Sequence, residues 1–470
     1  MYPVARLTGA CYEPAALRAG LAALGTALGW ARPGAGAFGA VIPAGARVVV
    51  KPNWVMHSNK GPWGTECLIT HPELVRTVVE ALLESPAGAV MVGDAPLQAC
   101  DFATLVAVGG LDGWAADLAS RELRFHGLHD FRRTRSIVAG GVLRQDEDVR
   151  PLTDYVLFDL GAASLLEPVA TRGNTFRVTQ YDPRKMASTH RAGRHQYLIA
   201  RELMEADVVV NLAKLKTHRK AGMTSALKNL VGINGNKEFL PHHRVGGSAT
   251  GGDCYPGRSA VKRAYELLLD LQNALRSHGL RRALNLPARA LSLASRLLVD
   301  RLGVEGAWSG NDTVWRMCLD LNRVLLYGRP DGTMADLAQR RLVSIVDAVV
   351  AGQGDGPLAP EPFPLGWLLA SEHAAAIDLI GAGLLGYEPA RIPMVREAFG
   401  GFRWPLASGG AAAVRLVDAD CQPVPPAAPS RPTYYPAGWL DAVALEGRVG
   451  APIGRTFKPI AAHTATEAVE

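Results

Sequence analysis

The sequence predicts an α/β fold, a mainly parallel sheet flanked by helices, from three observations. Residues 46–51, 70–84 and 89–93 read as strand, amphipathic helix and strand with short connections, which is a βαβ unit. The runs Asp207-Val-Val-Val-Asn-Leu-Ala213 and Leu342-Val-Ser-Ile-Val-Asp-Ala-Val-Val350 are apolar with little alternation, as strands covered on both faces are. Both runs then open into polar or glycine-rich segments, at the strand ends where open α/β sheets bind ligands.

Taken in order, residues 1–120 supply the first part of the core. The strand over 46–51 closes on Lys51-Pro52-Asn53. Thr70 is placed as a helix cap, with Pro72 in the first turn and Glu73 completing a capping box. Leu74, Val75, Val78, Val79 and Leu82 form the apolar stripe of that helix, and the next strand ends at Asp94. Residues 121–198 carry β-like runs and few helical stripes, so a β-rich insertion is expected there. Residues 199–257 return to the core through the strand at Asp207 and then carry a block of lysines and histidines. Helical stretches at 258–278, 282–302 and 312–327 are expected to form a helical cap within residues 258–330. Residues 331–400 complete the core with two strands and a helix over 373–385. Residues 401–470 are a proline- and alanine-rich C-terminal extension, with a loose tail expected from 451.

Composition narrows the function classes. The 470 residues are 48% hydrophobic and 20% charged, the balance of a soluble globular chain. The formal charge of +6 is carried by scattered arginines, and no zinc-finger spacing or basic zipper is present, so nucleic acid is disfavoured as a partner. The six cysteines form no Cys-x-x-Cys pair, so no iron–sulfur cluster is expected. The start lacks a signal-like apolar core, and the apolar stretch at 283–302 is interrupted by Arg289, Arg296, Asp300 and Arg301. No membrane contact and a cytoplasmic location are the resulting expectations. The oligomeric state is left open.

The densest chemical information lies after Ala213. Lys214, Lys216 and His218 alternate with Leu215 and Thr217, so an extended backbone points all three to one side. Ammonium groups held that close repel each other unless an anion neutralises them, which points to a phosphate or carboxylate ligand. A solvated loop of lysines is the competing reading. Lys216, His218, His242 and His243 are the catalytic candidates. The two adjacent histidines face opposite sides of an extended chain, so one of them at most is expected in the site. Lys51, Asn53, Asn211, Lys214, Lys228, Asn229 and Arg244 are the candidates for binding substrate.

Three aspartates stand where a divalent cation such as Mg²⁺ is a candidate cofactor. Asp94 ends a strand, Asp355 lies among glycines, and Asp347 interrupts an apolar strand, where a carboxylate must be paired or metal-bound. Asp312, Arg316 and Asp320 recur four apart after Asn311, and are expected to form a capped helix with an ion-paired exposed face.

Together Lys51-Pro-Asn53, Gly93-Asp94, the block from Asp207 to His218, Leu227-Lys-Asn229, the segment from Asp347 to Pro357, and Ala370-Ser371 with Ala376-Ile-Asp378 resemble the domain-of-unknown-function family 362. The resemblance covers about residues 46–400 in broken blocks, and its most specific part is Lys-x-Lys-Thr-His with the Lys-Asn pair. It implies an α/β fold and makes the Lys/His block a family feature. Some members carry a ferredoxin-like cysteine module that this chain lacks. The leading expectation is an enzyme acting on a phosphorylated or carboxylated small molecule, with isomerase- or transferase-type chemistry. A redox or electron-transfer-associated protein and a nucleic-acid-binding protein are the alternatives.

Overall fold

The computed structural model describes residues 1–139, 142–170, 175–179, 181–275, 277–425, 432–444 and 449–452. Most of the segment expected as a loose tail lies outside the described residues. The centre of the fold is a nine-stranded sheet. In chain order its strands are β1 (Tyr2–Thr8), β2 (Arg47–Pro52), β3 (Ala89–Asp94), β4 (Phe125–Asp130), β5 (Val208–His218), β6 (Gly222–Thr224), β7 (Arg341–Asp355), β8 (Ala359–Ser371) and β9 (Val414–Val417). Across the sheet they run β9-β1-β8-β7-β5-β2-β3-β4, with β6 paired to the end of β5.

The five strands from β7 to β4 are mutually parallel, as the apolar runs require, whereas β8 runs antiparallel between β7 and β1. Every residue of β5 is buried. Val208, Val210 and Leu212 pack beneath helices Pro14–Ala27 and Pro72–Leu83, and Val209, Ala213 and Leu215 face helices Val314–Tyr327 and Ala374–Leu384. The sheet is thus the middle of three layers with an apolar core on each side.

Several local expectations change in the tertiary setting. Helix Pro72–Leu83 begins with Pro72 as anticipated, but its cap is His71, whose Nδ1 accepts from the Glu73 amide. Thr70 is buried instead between two strands, accepting from the Asn53 amide and donating to the Leu212 carbonyl. Phe125–Asp130, placed in the insertion by sequence, hydrogen-bonds to β3 as the sheet's edge. The remaining β structure of that region forms small antiparallel pairs, including Tyr155–Asp159 with Arg194–Ala200.

Helix Val314–Tyr327 packs on the sheet, with Met317, Leu321, Val324 and Leu325 fully buried, and so differs from the cap helices around it. Asn311 accepts from the Thr313 and Val314 amides, and Asp312 pairs with Arg316 at 3.1 Å, as the spacing suggests. Asp320 is not on an exposed face. It is buried, accepts from Tyr197 Oη at 3.0 Å, from Ser164 and from the Leu165 amide, and pairs with buried Arg323 at 2.7 Å. This carboxylate ties the helix to two otherwise separate segments. Asp320→Ala leaves the Arg323 charge without its carboxylate, so urea unfolding is expected to show a loss of about 3–5 kcal/mol; a loss near zero would mean that Arg323 finds another partner.

Candidate functional site

The parallel strands deliver their C-terminal ends to one region, and two different arrangements of charge arise there. The first is closed. Lys214 and Asp347 are register neighbours on β5 and β7. Their side chains meet at 2.9 Å with both fully buried. Tyr12 Oη donates to Asp347 Oδ1 at 2.8 Å, and the Lys214 ammonium lies 3.0 Å from the same hydroxyl. The amides of His71 and Val349 complete the carboxylate's partners. Every strong polar group is answered inside the protein, and neither Lys214 nor Asp347 borders the neighbouring cleft.

The second arrangement is open. Beyond Lys214 the β5–β7 register slips, so that Lys216 faces Gly352. A Cβ on Gly352 would sit 2.7 Å from that of Lys216. The slip turns the end of β5 into the wall of a cleft of about 470 Å³, lined by Lys51, Asn53, Asp94, Lys216, His218, Lys228, Asn229, His242 and Asp355 among others. Side chains that follow β2, β3, β5 and β7 therefore share one site.

A chain of amides supports its floor. Asn229 Oδ1 accepts from Lys51 Nζ at 3.1 Å and from Asn53 Nδ2 at 2.9 Å, while its Nδ2 donates to Asn211 Oδ1 at 2.8 Å and to the Lys51 carbonyl. Asn53 Oδ1 accepts from Lys216 Nζ at 2.9 Å, which also donates to the Leu68 carbonyl. Lys51 lies 2.7 Å from Asp94 Oδ1, and the Trp54 amide holds the other oxygen. Burial pushes both members of this pair toward their neutral forms, against their mutual attraction. Gly232 passes directly over them: a Cβ there would fall 2.0 Å from Asp94 Oδ1.

Lys228 differs from these lysines. It is 9% exposed, and its ammonium has no hydrogen bond or ion pair among the described residues. It rides on the short helix Ala226–Asn229, whose first amides are held by the buried carboxylate of Asp378 at 2.7 and 3.1 Å. Burial raises the Asp378 pKa to about 7.

The two cleft histidines occupy opposite tautomers. His218 Nδ1 accepts from the Lys220 and Ala221 amides, which leaves the proton on Nε2. His242 Nδ1 lies 2.7 Å from the Leu240 carbonyl and must donate to it, which leaves the lone pair on Nε2. Burial, reinforced by Lys228 and other cations, holds both rings well below the usual histidine pKa and keeps them neutral. His243 points away into the body, and Arg244 is occupied by Asp253 at 3.6 Å and the Gly251 carbonyl, so neither borders the cleft. Asn211 lies underneath as a support.

The three aspartates considered for a cation do not converge. Asp94 faces Lys51, Asp347 is enclosed by Lys214, and Asp355 is an exposed rim residue 4.0 Å from Arg219. Among the described residues no three His, Cys, Asp or Glu side chains gather as a metal site.

Other cleft residues carry little sequence signal. Lys237 in Asn-Lys-Glu reads as a surface turn, yet it is buried, donates to the Ala95 carbonyl and has its pKa drawn by burial to about 7. Glu305 lies beyond the cap helices and pairs with Arg219 at 3.2 Å. Trp54, Met56, Leu240 and Leu358 add an apolar wall.

Lys214 and Asp347 should behave as a structural pair. Lys214→Met leaves a buried carboxylate without its cation, and urea unfolding should show a loss of about 3–5 kcal/mol. A variant of unchanged stability that fails to bind anions would instead place Lys214 in the ligand site.

Among known proteins, the chain is 23% identical over 391 residues to a thylakoid-associated protein of Synechocystis sp., spanning 83% of this chain and 76% of that protein. A solved structure from Thermotoga maritima aligns with 11% identity and a TM-score of 0.32, covering 78% of this chain and 57% of the other; the chain thus spans little more than half of that protein's length. The family described as "Domain of unknown function (DUF362)" matches residues 48–149 and 152–383, the segments that build most of the sheet and its cleft, and the chain belongs to that family.

Proposed function

We propose that the cleft binds an anionic small molecule with an apolar portion, and that the protein is an enzyme acting on it. The observation that carries this reading is Lys228, a lysine with a largely buried side chain that lines the cleft and whose ammonium has no protein partner among the described residues. An ammonium that opens to the cleft with no partner in the protein is a ready point of attachment for an anion. Its surroundings agree, since the cleft is lined by seven Lys or Arg side chains against three carboxylates, Asp94, Glu305 and Asp355. Trp54, Met56, Leu240 and Leu358 would hold the uncharged part of the ligand.

The paired tautomers suit proton transfer at a carbon or hydroxyl beside the anionic group. His242 Nε2 offers a lone pair to take a proton, while His218 Nε2–H donates to an oxygen on which charge develops. Lys228 holds the phosphate or carboxylate in place. Isomerase- and transferase-type reactions both use such a set.

Lys228→Met tests the reading with phenyl phosphate as an anion carrying an apolar body. Loss of a charge-assisted contact should weaken binding in calorimetry by about 1.5–3 kcal/mol with the melting temperature unchanged. Equal affinity of the two proteins would remove Lys228 from the site and with it the main support for an anion.

A second expectation follows from Lys216 and Lys237, whose pKa values burial lowers to about 7. Their ammonium forms exist below that value, so affinity for phenyl phosphate should rise as pH falls through about 7, until the ligand itself is protonated. The protein without ligand should show the opposite trend from these two groups. The unfolded chain binds more protons between about 7 and the ordinary lysine value near 10.4, so their contribution to stability is lost as pH falls through about 7. Affinity independent of pH across this window would mean that neither amine titrates near the ligand.

A further inference from the structure

We propose that the helical hairpin formed by Ala260–Ala274 and Asn285–Leu298 is a peripheral docking surface for an anionic lipid bilayer, independent of the chemistry in the cleft. The second helix of the hairpin is built with its apolar side outward. On the second helix Leu286, Ala290, Leu293 and Leu297 recur at intervals of four, three and four, which places them on one stripe. Leu286, Leu293 and Leu297 are 77%, 58% and 74% exposed. The buried residues of this helix are Ala288 and Ser295, on the opposite side. The first helix shares this in part: Leu267 and Leu271 are half exposed and its buried residues are Lys262 and Glu266, while Tyr265 and Leu269 pack inward on Cys254, Tyr255 and Val304.

Polar contacts fix the hairpin to the body. Asp270 pairs with Arg177 at 2.9 Å and Glu266 accepts from the Gly246 amide, while Lys262 joins the two arms through Asp300, just past the second helix, at 2.6 Å. The leucines are therefore not held outside by any shortage of anchoring. An exposed apolar stripe of this kind marks an interaction surface.

Charge selects the occupant. From residue 277 to 302 the sequence holds five arginines and one acid, Asp300, which Lys262 already neutralises. Arg289 and Arg296 are seven residues apart and exposed along one edge of the leucine stripe. A second copy of this chain would bring the same arginines together across a symmetric contact. A surface of lipid phosphates instead complements them while the leucines enter the acyl boundary. The charges that interrupt 283–302 argue against a helix crossing a bilayer, and they suit one lying on it.

Flotation of the full chain with vesicles tests this. Binding is expected to vesicles of phosphatidylglycerol and phosphatidylcholine in equal parts, and not to phosphatidylcholine alone. The triple variant Leu286→Ser, Leu293→Ser, Leu297→Ser removes only exposed side chains. It should reduce the floated fraction about tenfold or more while leaving the circular dichroism spectrum and the melting temperature unchanged. The double variant Arg289→Gln, Arg296→Gln should weaken binding about tenfold or more with the leucines intact, and gives an independent reading if the triple variant folds poorly. No flotation, or flotation indifferent to both variants or to lipid charge, overturns the proposal. A dimer in light scattering that the serine variant splits, without flotation, assigns the stripe to a second copy and also overturns it.

Discussion

The site rests on the need to accommodate lysines where the parallel strands end. Lys51, Lys214 and Lys216 are almost wholly withdrawn from solvent. Each buried ammonium is costly unless hydrogen-bonded or paired, and the protein answers in two ways. Lys214 receives a carboxylate from the adjacent strand, reinforced by a tyrosine hydroxyl. Lys51 and Lys216 are tied to the amide chain through Asn53 and Asn229, with Asp94 beside Lys51. An amide can accept from an ammonium while donating elsewhere, so one asparagine can hold two strands and a lysine together without adding charge. Asn229 does this for β2 and β5, donating to the Lys51 carbonyl and to Asn211.

The same compensation limits the chemistry. Carboxylates consumed by lysines are not gathered around a common centre, and lysines tied to amides are poor candidates to move. Groups with capacity left are at the cleft wall: the ammonium of Lys228, the Nε2–H of His218 and the Nε2 lone pair of His242. Their roles in the proposed reaction follow from which atom each backbone contact leaves available. Burial beside several cations keeps both imidazoles neutral, so one ring has a donor left and the other an acceptor.

The hairpin over residues 260–298 follows a different rule from the core. In the three-layer body, apolar residues of both sheet faces are covered by helices, and buried charges such as Lys51, Lys214 and Lys216 are paired or hydrogen-bonded. In the hairpin ion pairs and small residues lie inward together with Tyr265 and Leu269, while Leu267, Leu271, Leu286, Leu293 and Leu297 lie outward. Helical periodicity is equally strong in both settings, so it identifies a helix without saying which side meets the protein.

The sequence by itself determined the fold class. Uninterrupted apolar runs such as Val208–Val210 can be stabilised only within a covered sheet, and the stripe over residues 74–82 has the period of a helix packed on it. It also located the lysine- and histidine-rich block, because alternation fixes the side on which Lys214, Lys216 and His218 begin. Alternation does not reveal a change of register, and only the tertiary structure decided that β5 slips against β7 after Lys214, enclosing that lysine with Asp347 and leaving Lys216 at the cleft. Partners such as Tyr12 and Asp347, or Ser164 and Asp320, are separated by 335 and 156 residues. Local propensity holds no information about such contacts, since they arise from the order in which strands and helices pack. For the same reason Thr70 could be read as a cap and Asp320 as exposed: each is suited locally to that role, and burial assigns another.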